Sequence, residues 1–155
     1  MLLLPHTLFA ASIVTIIPNP FIAWPLALIS HFGLDFLVIH WNPHLYTEHS
    51  KTGQVSKKSL IVIGSDALLS LSFCFYILIF NWGNWQKILL FGVAIFLAVL
   101  PDLVKIPYYF FHIKKGLLKK YVDFEHNHQS KEDFFWGLTT QVIVCLASLV
   151  IFFKS

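Results

Sequence analysis

Apolar residues in this chain come in long blocks, interrupted by short polar stretches. Residues 2–17, 21–40, 60–80, 88–105 and 134–153 are each almost continuously apolar. A bilayer-spanning helix needs ~20 mainly apolar residues. The last four blocks approach or meet that length. The first is shorter and ends at Pro18-Asn19-Pro20. It reads as a short fifth span, or a half-inserted helix, that turns back sharply into the second. The pattern therefore predicts an all-α polytopic membrane helix bundle with four full spans plus a short N-terminal span, and residues 1–155 as one integral membrane domain.

Composition strengthens this reading. Of the 155 residues, 57% are hydrophobic and 12% charged. Soluble domains carry roughly 25% charge, and a chain of this length cannot bury four such helices in a water-soluble core. A soluble globule, a disordered chain and a nucleic-acid binder built on a basic face are all excluded. Cys74 and Cys145 both lie in apolar runs, which supports neither a disulfide framework nor a cysteine zinc site. The first block has no basic segment before it and no small-residue cleavage site. Pro5-His6 also interrupts it early, so it does not read as a signal peptide.

The positive charge is all lysine. With alternate crossings, Lys51, Lys57, Lys58, Lys105, Lys114, Lys115, Lys119, Lys120 and Lys131 fall on one side, and Lys87 and Lys154 on the other. The positive-inside rule makes the first side cytoplasmic, with loops 41–59 and 106–133 inside a bacterial plasma membrane. Trp82 and Trp85 then sit at the outer interface. Residues 108–121 combine an aromatic cluster with four lysines. That stretch is either a segment lying in the headgroup layer against anionic lipid or an ordinary positive stop after a span.

Candidate chemistry lies where ionisable groups enter these apolar blocks. A charge at membrane depth costs roughly 2.5–3.5 kcal/mol on insertion scales and defaults to a functional role. Asp35, Asp66 and Asp102 qualify. At 1.5 Å per helical residue, all three lie roughly 5–9 Å below the inner boundary. There they would repel one another unless a cation or proton compensates. His31 and Asp35 are four residues apart, on one helical face, and can offer a nitrogen and an oxygen to one metal ion. His6 stands at the inner start of the first span, and His126 and His128 precede the last. Mixed nitrogen and oxygen donors suit a divalent ion such as zinc, manganese or iron, with zinc and manganese preferred. Asp66 is a candidate general base or further ligand. Each has a structural alternative: Asp66 as a hydrogen-bond acceptor, Asp102 as a helix cap after Pro101, His31 as an interhelical hydrogen bonder, and His126 and His128 as loop residues. His40, His44 and His49 read as interfacial polar groups, and Gln141 as a bond to another helix.

His6-Thr7, Pro18-Asn19 and Ser30-His31-Phe32-Gly33-Leu34-Asp35 together resemble the membrane-bound metal-dependent hydrolases of the YdjM-like family. That family typically opens with a Thr-His pair, continues with an apolar helix ending in Pro-Asp, and carries Ser-His-x-x-Leu-Asp in a later helix. His40-Trp41-Asn42-Pro43-His44 and residues 135–141 also resemble small relatives of this kind. The resemblance implies His6, His31 and Asp35 as metal ligands and a hydrolytic activity. The chain departs from the pattern at Asn19, where the family has Asp, and lacks a His-Arg-x-x-x-His-Ser segment. Asp102 with His126 or His128 offers replacement donors.

Three functions fit these residues. One is a hydrolase whose metal-activated water attacks a phosphoester, the substrate being a lipid or lipid-linked phosphate beside the headgroups. A metal or proton translocator and a non-catalytic membrane scaffold are the others.

Overall fold

The computed structural model describes residues 1–130 and 133–154. Lys131, counted above among the inner-loop lysines, lies outside them. All regular structure among the described residues is helical: α1 (Leu3–Ile16), α2 (Pro20–Leu37), α3 (Leu45–Thr52), α4 (Lys57–Phe80), α5 (Trp85–Leu103), α6 (Ile106–Phe110), α7 (Gly116–His128) and α8 (Phe134–Lys154). Four spans are long and apolar enough to cross a membrane: α2, α4, α5 running on through α6, and α8. Their outward faces carry Leu68, Leu71, Phe75, Ile143 and Leu146, each more than half exposed. In water such a surface would be an aggregation liability. In a bilayer it is the lipid-facing wall.

The short first helix is the hub of the bundle. At 14 residues, α1 is about 21 Å long, short of the ~30 Å hydrocarbon thickness. It packs against α2, α4, α5 and α8. Ala10 and Ala11 of α1 meet Ala23 and Ala27 of α2 and Ala94 and Ala98 of α5, all fully buried. Small side chains let helix backbones approach closely where lipid supplies no hydrophobic drive between helices.

Local signals explain the helix ends. Asn19 accepts a hydrogen bond from the Phe21 amide at 3.0 Å and Pro20 follows at the first helical position, a favoured start for α2. The chain therefore reverses at Pro18-Asn19-Pro20, and the His6 ring near the start of α1 stacks on the His31 ring near the end of α2. Asp66 of α4 caps α1 from outside: Oδ2 accepts from the Leu3 amide at 2.5 Å and Oδ1 from the Leu4 amide at 3.1 Å. Leu2 has no side-chain oxygen to do this. Gly83 has φ 87° in the turn joining α4 to α5, a left-handed conformation that glycine adopts without Cβ strain.

At the end of the bundle opposite that turn, α3, α6 and α7 form a polar layer. Tyr46 donates to Asp123 at 2.9 Å, and the Tyr121 hydroxyl donates to the Pro101 carbonyl at 3.2 Å. Residues 38–41 cross this end as an extended strap clamped by α8. Gln141 holds it in place, its Nε2 donating to the Trp41 carbonyl at 2.7 Å while its Oε1 accepts from the Leu2 amide at 2.8 Å. Gly137 lies directly under the strap, where a Cβ would overlap the His40 and Trp41 backbone. Gly137→Ala is accordingly expected to destabilise the fold by about 1–3 kcal/mol, the usual range for overpacking a tight contact. Denaturant unfolding of the detergent-solubilised protein measures this, and an unchanged midpoint would show that the strap does not sit there.

Candidate metal centre

Five segments bring their ionisable side chains to one point beneath the polar layer. α2 contributes His31 and Asp35 one turn apart. α1 contributes His6, the end of α5 contributes Asp102, and Lys105 stands at the junction between α5 and α6. Glu125 comes from α7, the polar Gln129 from the residue just after it, and His40 from the strap. The side chains of His6, His31, Asp35 and His40 are fully buried, and Glu125 is 1% exposed. His6 Nε2 lies 3.2 Å from Asp35 Oδ1, and His40 Nε2 lies 3.9 Å from the same oxygen. His31 Nε2 lies 3.6 Å from Asp35 Oδ2 and 4.0 Å from Glu125 Oε1.

Two sets of donor atoms fall within 4.8 Å of one another: His6, His31 and Asp102, and His31, Asp35, Asp102 and Glu125. The hydrogen bonds around them set the tautomers. His31 Nδ1 donates to the Ala98 carbonyl at 2.8 Å, and His40 Nδ1 donates to the Val38 carbonyl at 2.9 Å. A ring whose Nδ1 holds the proton presents a bare lone pair at Nε2, the arrangement typical of metal-ligating histidines. Those Nε2 atoms have no hydrogen-bond partner, and neither ring nitrogen of His6 nor Glu125 Oε2 has one. Buried polar atoms are ordinarily satisfied. Here the bare Nε2 atoms of His31 and His40 and one Glu125 oxygen lie together without a hydrogen-bond donor, a setting that suits a cation.

Charge points the same way. Asp35, Asp102 and Glu125 face a single buried lysine. Lys105 Nζ reaches Asp102 Oδ1 at 2.7 Å and Glu125 Oε1 at 2.5 Å. The Met1 nitrogen donates to Asp35 Oδ1 at 2.5 Å, and Gln129 Nε2 donates to Asp35 Oδ2 at 3.2 Å and Glu125 Oε1 at 2.9 Å. Even so, negative charge exceeds positive. His40 lies beyond the end of α2, and burial pulls its imidazole down to about 4. It is therefore neutral near pH 7 and available as a ligand.

The sequence-predicted candidates divide accordingly. His6, His31, Asp35 and Asp102 meet at this point. Asp66 belongs to neither donor set; both its oxygens are engaged at the start of α1, so it positions that helix. His126 and His128 also belong to neither set. The His126 ring stacks on Tyr46 at 3.8 Å, while the His128 ring packs on Phe124 and its Nδ1 donates to the Phe124 carbonyl. Of the interfacial histidines, His44 is exposed and His49 is buried among Tyr108, Tyr109 and His112. His40 is buried with its Nε2 3.9 Å from Asp35 Oδ1, at the edge of the cluster, though it too belongs to neither donor set. Glu125 was not anticipated. Its one sequence signal is the three-residue spacing from Val122, which puts both on the buried face of α7.

A cavity of about 400 Å³ adjoins the cluster. Asp102, Lys105, Glu125 and Gln129 line one wall, and Ile63, Ile106 and Phe110 give it an apolar side. Ile106 and Phe110 are themselves part-exposed, and His44 and Tyr46 of the polar layer also line the cavity. No family model, curated protein or solved structure matches this chain.

Proposed function

We propose that this chain is an integral membrane, metal-dependent hydrolase acting on a lipid or lipid-linked phosphoester at the cytoplasmic leaflet. The observation that carries the reading is the convergence of buried, unpartnered imidazole nitrogens on three carboxylates. His6, His31, Asp35, Asp102 and Glu125 would hold a divalent ion, zinc or manganese by donor type. Such an ion supplies an activated water and polarises the scissile bond. The resemblance of His6-Thr7 and Ser30-His31-Phe32-Gly33-Leu34-Asp35 to the YdjM-like hydrolases agrees with this assignment. The side chains do the remaining work. Lys105, on the cavity wall, attracts an anionic phosphoester, and Gln129 orients the Asp35 and Glu125 carboxylates by donating to both. The apolar side of the cavity accepts the hydrocarbon part of the substrate.

The lysine-rich end, with the exposed Phe111, Ile113 and Leu117 beside Lys114, Lys115, Lys119 and Lys120, suits an anionic inner leaflet. A translocator is less well supported. Above the cluster, Ala10, Ala11, Val14, Ala27, Ala94 and Ile95 form a packed apolar layer, whereas conduction needs a polar path.

Protein purified in detergent, loaded with Mn²⁺ or Zn²⁺ and desalted should retain at least one ion per chain. It should release phosphate from farnesyl phosphate in mixed micelles, and a chelator should abolish the release. Retention of no metal would refute the proposal.

A further inference from the structure

A second cavity lies at the other end of the bundle, away from the metal cluster, and the shortness of α1 explains it. α1 has 14 residues, against 24 in α4 and 21 in α8, so the longer helices run past its last turn. The recess left there measures about 380 Å³, inside the ~300–1,000 Å³ range of small-molecule pockets. Val14 and Thr15 of α1 form its floor, Phe80, Phe91 and Phe152 its walls, and the exposed Lys87 its rim.

The lining suits hydrocarbon better than water. Thr15 Oγ1 donates to the Ala11 carbonyl and Asn81 Nδ2 to the Ile77 carbonyl, each at 2.9 Å. Both donors are thus spent on their own turns. An ordered water needs roughly two to four polar partners, which aromatic walls do not supply. In a bilayer the available apolar filler is an acyl chain.

Charge selects the headgroup. Lys87 and Lys154 are the charged residues of this end among the described ones, and no acid balances them. Trp82 and Trp85, both mostly exposed, precede Lys87 in the chain. Amphipathic rings of this kind sit at the headgroup level, so the Lys87 ammonium stands at the depth of lipid phosphates.

We propose that this recess binds one anionic phospholipid of the adjoining leaflet, an acyl chain lying among Phe80, Phe91 and Phe152 and the phosphate at Lys87. The site is separate from the metal cluster and does not depend on it. The chain fills the space that the early end of α1 leaves between α4, α5 and α8.

The detergent-purified full chain, stripped of lipid, is mixed with phosphatidylglycerol or phosphatidylcholine of matched chains, and retained lipid is counted by native mass spectrometry. Wild type should keep one phosphatidylglycerol after washing that removes the rest, and should prefer it over phosphatidylcholine by about fivefold, the effect of one lysine beside an anionic headgroup. Lys87→Gln should hold the two lipids equally. Thr15→Phe fills the floor of the recess and should retain neither. Lys114→Gln/Lys115→Gln, at the opposite end, should behave as wild type. No retained lipid, or equal retention of the two lipids by wild type, overturns the proposal. So does a preference that survives Lys87→Gln, or one lost in the Lys114→Gln/Lys115→Gln variant, which would place the lipid at the lysine-rich end. If Thr15→Phe does not fold, Lys87→Gln decides, because an exposed side chain can be exchanged without disturbing the core.

Discussion

Asp35→Ala is expected to abolish stoichiometric metal retention, weakening Mn²⁺ binding by well over 100-fold. Replacing a mere outer partner of a metal ligand already costs about 10- to 100-fold in affinity. Asp35 is placed more centrally than that, with its oxygens 3.2 Å from His6, 3.6 Å from His31 and 3.9 Å from His40. Its loss removes the one carboxylate common to all three imidazoles. Equilibrium dialysis of wild type and variant measures the change, and circular dichroism checks that the helices persist. An affinity within a few-fold of wild type would mean that ions bind elsewhere.

Lys105→Met is expected to destabilise the metal-free protein by about 3–5 kcal/mol, the cost of stripping the partner from a buried ion pair. Lys105 bridges Asp102 and Glu125, and its side chain is 14% exposed. Methionine keeps most of the volume and none of the charge, so two carboxylates from separate helices are left facing each other. Saturating Mn²⁺ should recover much of the loss, because a bound cation supplies the missing charge. Unfolding in detergent, with chelator and with excess Mn²⁺, tests both halves. Equal stability of the variant and wild type in chelator would show that Lys105 does not hold α5 to α7.

His31 and Asp35 were legible because helical spacing alone puts them on one face, and a charge in an apolar run is conspicuous. Asp102 stood out for the same reason. Glu125 did not, because it lies in a charged segment where one more acid is ordinary. His40 was obscured differently. It follows the last turn of α2, and its position depends on a strap clamped by Gly137 and Gln141 of α8, about a hundred residues away in sequence. Asp66 shows the limit of a depth argument. Helical rise estimates how far a residue lies from the membrane surface, but the rotation of α4 and the nearness of α1 direct its oxygens to the Leu3 and Leu4 amides.

Hydropathy determined the helical bundle and its four long spans, because transfer into lipid is a sum over local residues and needs no knowledge of neighbours. Only the tertiary structure placed the shortest helix at the centre and gathered His6, His31, Asp35, His40, Asp102 and Glu125 around one point. Lateral order and rotation are set by packing between small residues such as Ala11, Ala27 and Ala98, and those contacts join segments that the linear pattern treats as independent.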